Sequence, residues 1–183
     1  YGQAAQFLSA GIETTGSLVA TVLTNLAKNQ ADWKAARDHL RASDSSVLDS
    51  YIKESLRLRS PAPVISRVSV EDVSIRGALI PAGTEVFISP QVTHTMEKYY
   101  SEPNQFNPYR SEHRNNSAPF FPFGYGPRMC IGFQTAMSTT QAVMRYLIEN
   151  FEPVIDENES VEYDEFLIQY PVRDFKMKLR ELS

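Results

Sequence analysis

Phe123-Gly124-Tyr125-Gly126-Pro127-Arg128-Met129-Cys130-Ile131-Gly132 is the stretch on which the reading of this chain turns. It holds the chain's one cysteine, and a lone cysteine taken without its neighbours is a small buried apolar residue. The neighbours point elsewhere. Glycines crowd the loop before Cys130 and a helical pattern begins after Gly132, so the sulfur sits where a loop meets a helix N-terminus. The dipole and free N–H groups of such a terminus favour a thiolate. Gly126 and Gly132 let backbone come close to a flat cofactor. Phe123 is placed to shield the sulfur from water, and Arg128 to reach a carboxylate on that cofactor.

Working outward, 183 residues suffice for one sizeable core, and 42% hydrophobic with 22% charged residues is an ordinary globular composition. The balance of 18 basic against 22 acidic residues gives −4, which leaves no nucleic-acid footprint. A single cysteine excludes an internal disulfide. No uninterrupted apolar run approaches the ~18 residues needed to cross a bilayer. Tyr1-Gly2-Gln3-Ala4-Ala5-Gln6 reads as a chain cut inside a helix, so any anchor or targeting segment is expected upstream.

Periodicity predicts one long helix from the first residues to Asn29, its apolar stripe (Leu18, Val22, Leu26) in the C-terminal half. Its middle, Ala10-Gly11-Ile12-Glu13-Thr14-Thr15-Gly16, is poor helix sequence: each glycine costs about 1 kcal/mol relative to alanine. A second helix is expected over 32–40 and a third over 46–59, with Leu48, Ile52 and Leu56 on one face and Pro61 as its stop. Short β-type runs follow at 64–70, 73–75 and 85–89, with turns at Gly77 and Pro81-Ala82-Gly83. Residues 101–127 read as loop, 132–150 as a final long helix, and 165–182 as a β-hairpin turning near Tyr170-Pro171.

Two further constellations stand out. Glu54 and Arg57 lie three apart on the third helix, opposite its apolar face; such a pair is most often a solvated surface contact. Within the first helix, the Thr14 hydroxyl can bond the carbonyl of Ala10, and with Gly11 beside it the helix can bend and open. An opened turn next to a cofactor can hold a water and a small ligand. The plainer alternative is a glycine used for close packing.

The pattern Phe-x-x-Gly-x-Arg-x-Cys-x-Gly, matched at every fixed position, resembles the haem-binding signature of the cytochromes P-450. Lys53-Glu54-Ser55-Leu56-Arg57-Leu58 resembles the family's Glu-x-x-Arg motif, and Ala10 to Thr15 its distal-helix motif. The resemblance runs over nearly the whole chain, with the three motifs in the family's order. It implies a mainly α fold with small β-sheets: residues 1–183 as a single partial domain, the C-terminal half of a fold whose N-terminal half is missing here. It implies haem b (iron protoporphyrin IX), with Cys130 as proximal and metal ligand. Arg128 and the strand residue Arg67 become propionate partners, and Phe123, Gly126, Gly132, Ala10 and Gly11 contact the cofactor. For Arg67 the alternative is a surface strand residue.

By the same resemblance Thr14 and Glu13 deliver protons during oxygen activation. Glu54 and Arg57 join Arg110, in Phe106-Asn107-Pro108-Tyr109-Arg110, in a buried structural network, although Tyr109 departs from the acidic residue usual before that arginine. The substrate pocket is expected around Ala5, Leu8, Ser9, Ala62, Val64, Ile65, Gln169 and Tyr170. The implied activity is monooxygenation: one atom of O2 inserted into a lipophilic substrate, with electrons from an external reductase or ferredoxin. The alternatives are a peroxygenase or isomerase on the same haem-thiolate, or a non-catalytic truncated fragment. An intracellular location, cytoplasmic or membrane-attached through an upstream segment, accompanies this reading. His94 falls where the family often has a histidine and is taken as structural or surface.

Overall fold

A computed structural model describes residues 2–115, 117–155, 162–164, 168–171 and 176–182. Four helices carry the core: α1 (Gly2–Ala27), α2 (Gln30–Arg41), α3 (Ser46–Leu58) and α6 (Phe133–Asn150), with α4 (Pro90–His94) and α5 (Ser111–Asn115) lying between α3 and α6 in the chain. The apolar stripes meet where their period predicts. Leu18, Val22 and Leu26 of α1 pack with Trp33, Ala36 and Leu40 of α2, with Leu48, Tyr51, Ile52 and Leu56 of α3, and with Met144 and Ile148 of α6. By length and composition alone α1, at 26 residues, is apolar enough to cross a membrane, which the run-by-run count missed because serines, threonines and glycines interrupt it. Its C-terminal half is nevertheless a core helix, buried from Ser17 onward.

Among the described residues the sheets are all two-stranded and antiparallel. β1 (Ile65–Val68) pairs with β4 (Glu85–Ile88), and between them β2 (Val73–Ile75) turns back on β3 (Ala78–Ile80). Arg76 and Gly77 form that turn with φ of 50° and 84°, the left-handed pair a tight two-residue hairpin demands. β3 escaped the sequence reading, as did α4 and α5, because runs of three to five residues are too short to show a period. Helix α4 owes its start to Ser89, whose hydroxyl accepts the Val92 N–H, and to Pro90 in its first turn.

Among the described residues no strand pairing within the expected 165–182 hairpin is present. Residues 165–167 and 172–175 lie outside the described residues, and the described remainder divides between two sheets. β6 (Tyr163–Asp164) pairs with β7 (Tyr170–Pro171), while β8 (Lys178–Glu181) pairs with β5 (Phe151–Val154) at the end of α6. The Phe151 carbonyl is held from below by Trp33 Nε1 at 3.0 Å and Arg37 Nη2 at 2.7 Å. The helical core thus presents a strand edge with which Lys178–Glu181 pairs.

Candidate functional site

Everything around Cys130 starts from two glycines. Gly124 and Gly126 take φ of 76° and 71°, a left-handed conformation costly for any residue with a Cβ. They fold the loop so that Cys130 N–H donates to the Phe123 carbonyl at 2.9 Å and Met129 N–H to Gly126 at 3.0 Å. Phe123 packs edge-on against Phe133 with centroids 5.1 Å apart, pinning the loop to the first turn of α6. Gly132 is the N-cap of that helix, and a Cβ there would come within 3.8 Å of Cys130 Sγ.

A cavity of about 630 Å³ opens beside the sulfur. Helix α1 contributes Ala10, Gly11 and Thr14 to its wall; the turn after α3 and strand β1 contribute Ala62, Ile65 and Arg67; the cysteine loop contributes Phe123, Arg128, Cys130 and Gly132. Helix α1 runs unbroken through this region, and Thr14 Oγ1 donates to the Ala10 carbonyl at 2.6 Å, so the opened turn is not seen. Arg67 Nη1 donates to the Ser66 carbonyl at 2.7 Å. Among the described residues neither Arg67 nor Arg128 has a carboxylate partner.

Other nominated residues stand apart from this cavity. Glu13 is exposed and does not line it, although it neighbours Thr14 in sequence. Ala5, Leu8, Ser9 and Val64 are exposed and likewise absent from the wall. Gln169 is buried as a clasp rather than a pocket residue: its N–H donates to Pro61 at 3.1 Å and its carbonyl accepts from the Ser17 hydroxyl. The side chain of Tyr170 lies outside the described residues. Phe7, Thr135, Ala136 and Thr139 do line the cavity and were missed. Their signal was available: Phe7 lies seven before Thr14 on one helix stripe, and 135, 136 and 139 form one face of α6.

Glu54 and Arg57 are fully buried, not solvated. Arg57 grips the carboxylate with Nε at 2.8 Å and Nη2 at 2.9 Å, and Arg110 Nε adds a bond at 2.9 Å. Asn107 N–H donates at 2.8 Å, and His113 Nε2, which no sequence motif marked, lies 2.9 Å from Oε2. Burial alone would raise this carboxyl. The bonds from Arg57 and His113, the Arg57 charge and the Asn107 amide outweigh it and hold Glu54 at about 2. Cluster and cysteine loop are linked through His94, which is structural and fully buried.

The sequence profile of the cytochrome P-450 family matches residues 2–177. The chain belongs to the cytochrome P-450 family. It is 33% identical to rat (Rattus norvegicus) cytochrome P-450 3A9 over 166 residues, which cover 81% of this chain and 33% of that protein. It is 32% identical to cytochrome P-450 4d1 of Drosophila melanogaster over 166 residues, covering 80% of this chain and 32% of that one. A cytokinin hydroxylase of Arabidopsis thaliana is 33% identical over 168 residues, 83% of this chain and 33% of its own length. A cytochrome P-450 crystal structure superposes with a TM-score of 0.90 at 26% identity, covering 98% of this chain and 45% of that one. The mainly helical fold with small antiparallel sheets is therefore that of the family, and the chain spans about a third of the length of the curated relatives it matches.

Membership implies a haem, and the cavity's residues fit one. A haem is flat and apolar over its faces, with two carboxylates at its edge. The wall is largely apolar, and two arginines without carboxylate partners reach it. A Cβ at Gly11 or Gly126 would meet nothing within 4 Å, leaving open space a flat group can use.

Proposed function

We propose that this chain forms the proximal and distal walls of a haem b site in a monooxygenase, with the Cys130 sulfur as the iron ligand. One observation carries the reading: Thr14 of α1, Arg67 of β1, and Arg128 and Cys130 of the cysteine loop come from three separate stretches of chain and line one cavity. The bound haem would supply activation of O2 and insertion of one oxygen atom into a C–H bond of a lipophilic substrate, with electrons from an external reductase or ferredoxin.

The chain's own residues prepare that chemistry. The glycine-shaped loop holds the sulfur at the cavity wall, and Phe123, locked against Phe133, fixes that loop to the start of α6. Arg67 and Arg128 would hold the haem's edge by pairing with its carboxylates. Thr14 carries a hydroxyl proton at the wall, parked on the Ala10 carbonyl until a better acceptor arrives. Glu13, exposed one residue before, is the acid that replenishes it from solvent. The Glu54 cluster keeps the loop and α3 in register beneath the site. Small and apolar residues (Ala10, Gly11, Ala62, Ile65) leave room for an apolar substrate.

The test is the reduced carbon-monoxide difference spectrum of the full-length protein. A red-shifted Soret band, the signature of thiolate ligation, is expected. A band of the kind histidine ligation produces overturns the assignment of Cys130.

A further inference from the structure

His94, the last residue of α4, is fully buried, and no step above uses it. Its ring packs against Phe120 and Phe121, with centroids 5.3 and 5.2 Å away. Phe121 donates its backbone N–H to Nε2 at 3.0 Å. A ring nitrogen that accepts carries no proton, so the neutral imidazole bears its proton on Nδ1. Nδ1 finds no partner among the described residues. An apolar ring would fill the same aromatic cage without stranding a donor. What an imidazole supplies here, and an apolar ring does not, is an acceptor for the Phe121 amide.

That amide stands at the head of the cysteine loop. Phe121 accepts from Gly124 N–H at 3.0 Å, and Phe123 accepts from Cys130 N–H at 2.9 Å. On the other side, Arg57 Nη1 donates to the His94 carbonyl at 2.8 Å while its Nε and Nη2 hold Glu54. A continuous path of hydrogen bonds and backbone therefore runs from the buried cluster, through His94, to the sulfur-bearing residue. We infer that His94 is a positioning residue for the cysteine loop: its Nε2 sets the segment from Phe121 to Cys130 in register with the Glu54–Arg57 pair. Burial, then the positive charges of Arg57 on α3 and His113 on α5, keep the imidazole in the neutral form that accepting requires.

The role of Cys130 as ligand is assumed only for the spectral part of the test. In the full-length protein, His94→Phe keeps a ring in the cage and removes the acceptor, whereas His94→Gln returns an acceptor oxygen. Hydrogen–deuterium exchange read by mass spectrometry is expected to show several-fold faster uptake in 119–130 for His94→Phe. Peptides from α3 and the C-terminal half of α1 should remain protected. Part of the red-shifted carbon-monoxide band should be lost in the same variant, and His94→Gln should recover both readouts. If His94→Phe does not accumulate, a folded His94→Gln with wild-type uptake in 119–130 still supports the role. Wild-type uptake in His94→Phe overturns it, as does a uniform rise over α1, α3 and α6 that glutamine fails to rescue. Should the wild type itself lack the red-shifted band, the Cys130 assignment fails while the exchange arm still decides on His94.

Discussion

Cys130 is exposed in the chain as it stands, and its surroundings are built by backbone: two left-handed glycines and one N–H bond to Phe123. Because this is the chain's one cysteine, the substitution Cys130→Ser removes its sole candidate thiolate. In the full-length protein the red-shifted carbon-monoxide band and the proposed monooxygenase activity should vanish together; a variant that keeps the band rules the assignment out. Thr14 makes a sharper case. Its hydroxyl binds no backbone partner beyond Ala10, so Thr14→Ala should leave haem and substrate binding intact. A positioned proton donor contributes on the order of 10²–10⁴ in rate, so product per electron should fall at least about tenfold while hydrogen peroxide rises. Assaying donor oxidation, peroxide and product on one sample checks this. Unchanged coupling would move the reading toward a peroxygenase or isomerase.

Among the elements, the Glu54 cluster is what ties helix to loop. Glu54 and Arg57 belong to α3, Asn107 and Arg110 to the segment before α5, and His113 to α5 itself. A buried ion pair contributes little net stability against an apolar replacement, but removing one partner leaves an uncompensated charge, at a cost of about 3–5 kcal/mol. Glu54→Ala strands two guanidiniums, so it should be the most damaging single change. Arg110→Ala leaves Glu54 with Arg57 and His113 and should be milder. The double variant should be scarcely worse than Glu54→Ala alone, since one network cannot be broken twice. Urea midpoints of the full-length holoprotein measure this, and simple additivity would mean the contacts are independent.

For the molecule as a whole, the same two buried groups set the acid limit. Burial first, then the charges of Arg57 and His113, take His94 from an ordinary 6.5 to about 4. The unfolded chain therefore binds a proton between those values that the folded chain refuses, so stability is complete above 6.5 and falls as pH drops toward 4. At about 1.4 kcal/mol per unit the loss from His94 is about 3 kcal/mol. Glu54, held near 2, adds stability above its usual 4.5 that disappears as pH falls through 2. Thermal midpoints should decline from pH 6.5 downward and continue to fall below 4.5. In His94→Gln the first part of that decline should flatten while the second persists; an unchanged slope would exonerate His94.

Much of this was written in local sequence. The long helices α1, α2, α3 and α6 were legible because a 3.6-residue period repeated over three or more turns has no other stable burial. The cysteine loop was legible because Gly124 and Gly126 mark left-handed backbone that no other residue tolerates as cheaply. Glu54 and Arg57 were visible as a pair, and the family resemblance added Arg110, yet the spacing of the pair is identical in a solvated helix. Only the arrival of Arg110 and His113, 56 and 59 residues onward, makes them a buried cluster. The pairing of Lys178–Glu181 was hidden for the same reason: its partner is the edge offered by Phe151–Val154, created when Trp33 and Arg37 fix the end of α6. His94 was marked only as a position where the family often has a histidine, and the acceptor it presents to Phe121 exists only once α4 and residues 119–121 are packed together. Periodicity and glycine placement act over a few residues and are readable there; charge burial and strand choice depend on which distant segment arrives, and that is decided by the tertiary fold.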